Sequence, residues 1–137
     1  MKSLNKVILV LVCIFGIAFI VGALPILLPS SVDAEIITDK EVYRAKEHIN
    51  VVISLESSKD IDNVDIDVIG IKNSRGIYKI SRSMNKNLTA GSNNITFEYL
   101  TPSCSPCSGI NPGTYHINAT VSYGEKITNV THSIVIE

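Results

Sequence analysis

Cys104 and Cys107 stand in a Cys-x-x-Cys spacing within Thr-Pro-Ser-Cys-Ser-Pro-Cys-Ser-Gly, just ahead of an Asn111-Pro112-Gly113 turn. That spacing serves three chemistries. A structural zinc site takes four ligands, and after Cys13 the chain has no cysteine but these two, so His48, His116 or His132 would have to converge on the same loop. A thiol redox centre places its first cysteine at a helix N-terminus, which lowers the thiol pKa, whereas Pro102, Pro106 and Gly109 predict a non-helical segment here. In an oxidising compartment the pair closes into a local disulfide that fixes the shape of a loop. The compartment therefore decides, and the N-terminus sets the compartment.

Val7 to Leu28 is almost wholly apolar, about 33 Å long as a helix against a hydrocarbon core of about 30 Å. Lys2 and Lys6 precede it and Asp33 and Glu35 follow, so the positive-inside rule leaves the N-terminus in the cytoplasm and the rest outside. The length favours a retained anchor over a signal peptide. Ser-Val-Asp-Ala ahead of Glu35 has the small residues of a cleavage site, and both readings export the remainder. Residues 1–34 are thus expected to be an anchor or signal segment and 35–137 one extracytoplasmic domain. Cys13 lies within the apolar run and reads as a buried small hydrophobe. The local disulfide between Cys104 and Cys107 follows from export.

Other residues with chemical potential yield less. Asp60 and Asp62, with Asn63, are candidate oxygen ligands for a loop cation. The segment lacks the glycine and distant glutamate of an EF-hand, and Asp65 and Asp67 alternate with apolar residues. A solvated acidic face is the reading adopted, with no metal and no cofactor. No nucleophile elbow, His-Glu-x-x-His or glycine-rich phosphate loop is present, so no catalysis and no small-molecule substrate are expected. Across 137 residues, 12 Lys/Arg against 13 Asp/Glu argue against nucleic-acid binding. The signs are segregated, however: Glu56 to Asp67 is acidic, and Lys72, Arg75, Lys79, Arg82 and Lys86 follow with no acid among them. Pairing across neighbouring strands is the expected outcome. Four sequons, at Asn87, Asn94, Asn118 and Asn129, mark possible glycosylation sites.

Period-2 alternation positions all of these residues. Ile49, Val51, Ile53 and Leu55 share one face, as do Val64, Ile66 and Val68; Ile95, Phe97 and Tyr99; and Tyr115, Ile117, Ala119, Val121 and Tyr123. Asn-Ser-Arg-Gly at 73–76, Ala-Gly-Ser-Asn-Asn at 90–94, Asn-Pro-Gly at 111–113 and Tyr-Gly-Glu-Lys at 123–126 supply turns. Shorter strands over 35–38 and 76–82 and a last one over 127–136 bring the total to about seven. The fold class expected is all-β, an antiparallel sandwich preceded by one N-terminal hydrophobic transmembrane helix.

Thr38 to Leu55, Thr-Asp-Lys-Glu-Val-Tyr followed by Glu47 and an alternating strand, and Asn111 to Val121, with Pro-Gly-Thr-Tyr leading into a strand, resemble the immunoglobulin-like and macroglobulin-like modules of prokaryotic, including archaeal, surface proteins. Lys46 departs from the pattern, standing where such modules usually have glycine. The resemblance implies an immunoglobulin-like fold used in adhesion or assembly, with no catalytic residues. Pro112 and Gly113 are expected to turn the chain, and the Tyr115 hydroxyl to reach a loop carbonyl.

The function expected is a single-pass, membrane-anchored module outside the cell. Residues 7–28 contact the membrane, and the domain contacts another cell-surface or envelope protein. Ser103, Pro106, Ile110 and Pro112, in the loop from Thr101 to Pro112, are the expected contact residues. The alternatives are a membrane-tethered thiol oxidoreductase using Cys104 and Cys107, a filament-associated surface subunit, and a calcium-dependent module centred on Asp60 to Asp67.

Overall fold

A computed structural model describes residues 30–102 and 105–137. The expected hydrophobic helix over 7–28 lies outside them, and among the described residues no helix is long and apolar enough to cross a membrane. Within the described residues eight strands follow one another: β1 (Val32–Thr38), β2 (Val42–Tyr43), β3 (His48–Ser57), β4 (Ile61–Lys72), β5 (Tyr78–Leu88), β6 (Gly91–Leu100), β7 (Gly113–Tyr123) and β8 (Lys126–Ile136). They form two layers, a three-stranded sheet in the order β1-β3-β6 and a five-stranded sheet in the order β2-β8-β7-β4-β5. Every pairing is antiparallel except the two-residue β2, which runs parallel to β8.

Alternation builds the core as the sequence predicts. Val51, Ile53 and Leu55 of one sheet face Val64, Ile66, Val68, Ile117, Ala119 and Val121 of the other, all buried. Three details differ from expectation. First, β1 starts at Val32, which is buried and whose N–H donates to the Tyr123 hydroxyl (3.1 Å), so the domain begins before Glu35. Second, β5 continues to Leu88 because its core-side row, Ile80, Arg82, Met84, Lys86 and Leu88, lies on a sheet edge where long cationic side chains reach water. Third, Ser105–Ser108 forms one helical turn, α1, in the segment expected to be non-helical. Pro106 is compatible with it because the first N–H groups of a helix have no partner within the helix.

The two ends of the sandwich differ. At the end where the chain enters, Ser31 and Ser58 exchange hydrogen bonds (3.0 and 3.1 Å) and Lys126 Nζ donates to the Ser30 carbonyl. This proximal end also carries the short β3–β4, β5–β6 and β7–β8 connections. At the distal end, roughly 30 Å away along ten-residue strands, lie 39–47, 73–77, 101–112 and Glu137.

Candidate functional site

The connection over 101–112 is distal and is held at several points along its described length. Thr101 is buried; its Oγ1 donates toward the Arg44 carbonyl (2.6 Å) and accepts from the Glu47 N–H (2.8 Å). Further on, Asn73 Nδ2 donates to the Ser108 carbonyl (3.1 Å) and the Ser74 N–H to the Gly109 carbonyl (2.8 Å). Gly109 has φ 72°, and a Cβ there would stand 2.8 Å from Ser74 Oγ, so both conformation and space favour glycine. The Tyr115 hydroxyl donates to the Asn111 carbonyl (2.7 Å), the loop carbonyl expected for it.

Ile110 corrects the expectation most directly. It is fully buried in the core and serves as the loop's apolar plug rather than a contact residue. Pro112 is exposed, α1 carries Pro106, and Ser103 and Cys104 lie outside the described residues. Exposed large hydrophobic side chains gather at this end nonetheless: among the described residues Val42, Ile77, Tyr78 and Leu100 are distal, Ile37 and Ile69 are mid-sheet and Ile127 is proximal.

The segment behind the surface-module resemblance is a hydrogen-bonded corner. The Tyr43 ring is buried; its hydroxyl donates to Asp39 Oδ1 (2.8 Å) and accepts from the Lys40 N–H (2.9 Å), while the Asn50 N–H also donates to Asp39 Oδ1 (2.9 Å). Although burial opposes its charge, these donors hold the Asp39 carboxyl below its ordinary value. Burial, then the adjacent Asp39, pushes the Tyr43 hydroxyl up. Glu47 accepts from the Arg44 N–H (2.9 Å), which lowers its pKa. Lys46 adopts φ 63°, so the lysine keeps the left-handed turn that glycine would make without strain.

The expected pairing of acidic and basic strands does not form. Asp65 and Asp67 lie on the outer face of β4 and accept from Asn85 Nδ2 (2.8 Å) and Ser83 Oγ, whereas Arg82 and Lys86 alternate onto the core-side face of β5. Opposite phase in the two strands keeps the charges apart. Arg82 instead packs 5.1 Å from the Phe97 ring centroid, bridging the edges of the two sheets.

Asp60 accepts from the Ala90 N–H (2.7 Å) and so braces a turn, and Asp62 is exposed at the β4 irregularity between Ile61 and Val64. Among the described residues no three His, Cys, Asp or Glu side chains converge as metal ligands. Two sequons interlock across β7 and β8: Thr131 donates to Asn118 Oδ1 (2.7 Å) and Thr120 to Asn129 Oδ1 (2.8 Å). Asn87 Oδ1 accepts from the Asn63 N–H (3.0 Å). Asn94 is exposed on β6 and has no side-chain hydrogen bond among the described residues.

Solved structures with the same architecture include the CARDB domain of the PF1109 protein from Pyrococcus furiosus, determined in complex with di-metal ions. It is 16% identical, with 79% of this chain and 89% of that one covered at a TM-score of 0.57. The domain is immunoglobulin-like. The same fold recurs in the sporulation control protein Spo0M from Bacillus subtilis, 16% identical over 81% of this chain and 50% of that one, TM-score 0.52. It recurs again in the C-terminal domain of wzt, 12% identical over 79% and 73%, TM-score 0.52. No family model matches the sequence, and no curated protein matches it. At such identities the immunoglobulin-like likeness concerns fold and not activity.

Proposed function

We propose that this protein is a membrane-tethered, extracytoplasmic immunoglobulin-like module, of the macroglobulin-like kind found on prokaryotic surfaces, that acts by contact with another envelope component and without catalysis. The observation that carries the reading is polarity: the chain enters at one end of the sandwich, while among the described residues four of the seven exposed large hydrophobics lie at the other and only Ile127 lies at the entry end. A partner met at a distance from the membrane would meet the distal end first. Retention of the anchor fits β1, since cleavage before Glu35 would remove Val32 and its bond to Tyr123. Cys107 is disulfide-bonded, which supports the proposed bridge to Cys104. Asn94 is the sequon best presented for a glycan.

Shortening the 101–112 loop would remove Ile110 from the core, so it cannot test contact without unfolding the domain. Photo-crosslinkers at Ile77 and Pro112 in intact envelopes can. Both positions are expected to capture one surface protein, and Glu125 at the proximal end is expected not to. Equal capture from Glu125 would refute the distal assignment, and protease resistance of the domain in intact cells would refute export.

A further inference from the structure

The outer face of the five-stranded sheet holds a second surface near the distal end, distinct from the loop. Lys72, Tyr78, Thr114, Tyr115, His116 and Asn118 line an open groove of about 270 Å³. Lys72 reaches it through a departure from the strand's own pattern. Val64, Ile66, Val68 and Gly70 alternate inward along β4, and continued alternation would send Lys72 inward as well. Instead Gly70 and Ile71 are both buried, and Ile71 takes φ 50°, a left-handed conformation that β-branched residues rarely adopt. That single residue re-aims Lys72 outward, where its Nζ lies 5.5 Å from the centroid of the Tyr78 ring. Backbone strain that redirects one charged side chain is characteristic of binding surfaces.

The groove's free groups share one character. Lys72 forms none of the ion pairs among the described residues, and no carboxylate lines the groove. Asn118 uses Oδ1 to accept from Thr131, which leaves its amide hydrogens without a protein acceptor among the described residues, and His116 engages Ser133 through Nδ1 (3.0 Å), leaving Nε2. The Tyr115 hydroxyl is committed to the Asn111 carbonyl. What remains is an ammonium group, amide and imidazole nitrogens, the Thr114 hydroxyl and a partly exposed tyrosine ring.

From this we infer that the groove binds a carboxylate-bearing saccharide. The carboxylate meets Lys72, sugar hydroxyls meet Asn118, His116 and Thr114, and the apolar face of a sugar ring lies on Tyr78. The volume is just below the roughly 300 Å³ at which enclosed small-molecule pockets begin, which suits part of a longer chain lying across an open face. Farther toward the proximal end the same face carries Asp65 and Asp67, whose charge would keep an acidic chain at the Lys72 end. The site uses none of the loop residues and stands whether or not the chain is tethered.

The test is titration of the full-length protein in detergent micelles with trigalacturonic acid and with its fully methyl-esterified counterpart, followed by calorimetry. The acid is expected to bind at least about tenfold more tightly than the ester. Lys72→Met and Tyr78→Ala should each weaken it about tenfold, with melting temperature unchanged. Lys86→Met, which alters a cation on the core-side row of β5, should leave binding intact. Absent binding, equal affinity for the ester, or equal weakening by Lys86→Met would each overturn the inference, the last by revealing attraction to net charge alone.

Discussion

The two ends of this sandwich solve the problem of joining strands in different ways. At the proximal end, the connections are only a few residues long and are closed in large part by their own neighbours: Asn93 accepts from the Thr89 N–H (3.0 Å), and Gly124 takes φ 57° between β7 and β8, with Asp60 adding a bond from the Ala90 N–H. At the distal end, closure comes from far along the chain. Thr101 ties to Arg44 and Glu47, and Asn73 ties to Ser108. A turn closed by neighbours needs only local chemistry, whereas the long 101–112 connection is held in place only when the whole domain is folded. That connection is therefore the more easily damaged one.

The largest test of that contrast is Ile110→Ala, expected to lower stability by about 3 kcal/mol through loss of buried apolar contact and the cavity left behind. Ile127→Ala, at the exposed proximal position, should change it by under about 0.5 kcal/mol. Chemical denaturation of both would break the comparison if the two losses were alike. Next in size, Gly109→Ala should lower stability by about 2 kcal/mol and Gly124→Ala by about 1 kcal/mol. Both place alanine at positive φ, but only Gly109 faces a crowding side chain, with nothing within 4 Å of a Cβ at Gly124.

Smaller effects sharpen the distal corner. Tyr43→Phe removes the hydroxyl between Asp39 and Lys40 and should lower stability by about 1 kcal/mol. The folded-state pKa of Asp39 lies below the ordinary value of 3.8. Its ionised carboxylate therefore stabilises the fold at pH above that value, and the contribution fades as pH falls through the folded-state value. The gap in unfolding midpoint between the wild-type protein and Asp39→Asn should be wide at pH 7 and narrow toward pH 2.5; a constant gap would contradict the assigned ionisation. Smallest of all, Lys46→Gly should raise stability by about 0.5–1 kcal/mol by relieving the left-handed lysine, and an unchanged melting temperature would argue that the turn carries no strain.

Much of the strand plan was legible because burial on one face imposes a period of two that local residues must obey. Ile49 to Leu55, Val64 to Val68 and Tyr115 to Tyr123 declare their inward faces without reference to anything else. The end of β5 was not legible, because Arg82 and Lys86 occupy core-side positions that only an edge strand tolerates, and the sequence does not say which strand lies at an edge. The two-residue β2 and its parallel pairing with β8 were hidden for the same reason.

Of the candidate loop, the Tyr115 hydroxyl's bond to the Asn111 carbonyl was legible and the burial of Ile110 was not. The sequence by itself determined the alternation, the turn residues, the Cys-x-x-Cys spacing and the Tyr115 hydroxyl's reach to a nearby carbonyl, since all depend on residues close together in the chain. Only the tertiary structure decided that Ile110 is core, that the acids of β4 and the bases of β5 face opposite ways, that the Asn118 and Asn129 sequons interlock, and that Lys72 turns outward at Ile71. Each of these depends on strand register, edge position or one left-handed residue. Such choices are made by packing between segments distant in sequence, where local residue preference is neutral or opposed.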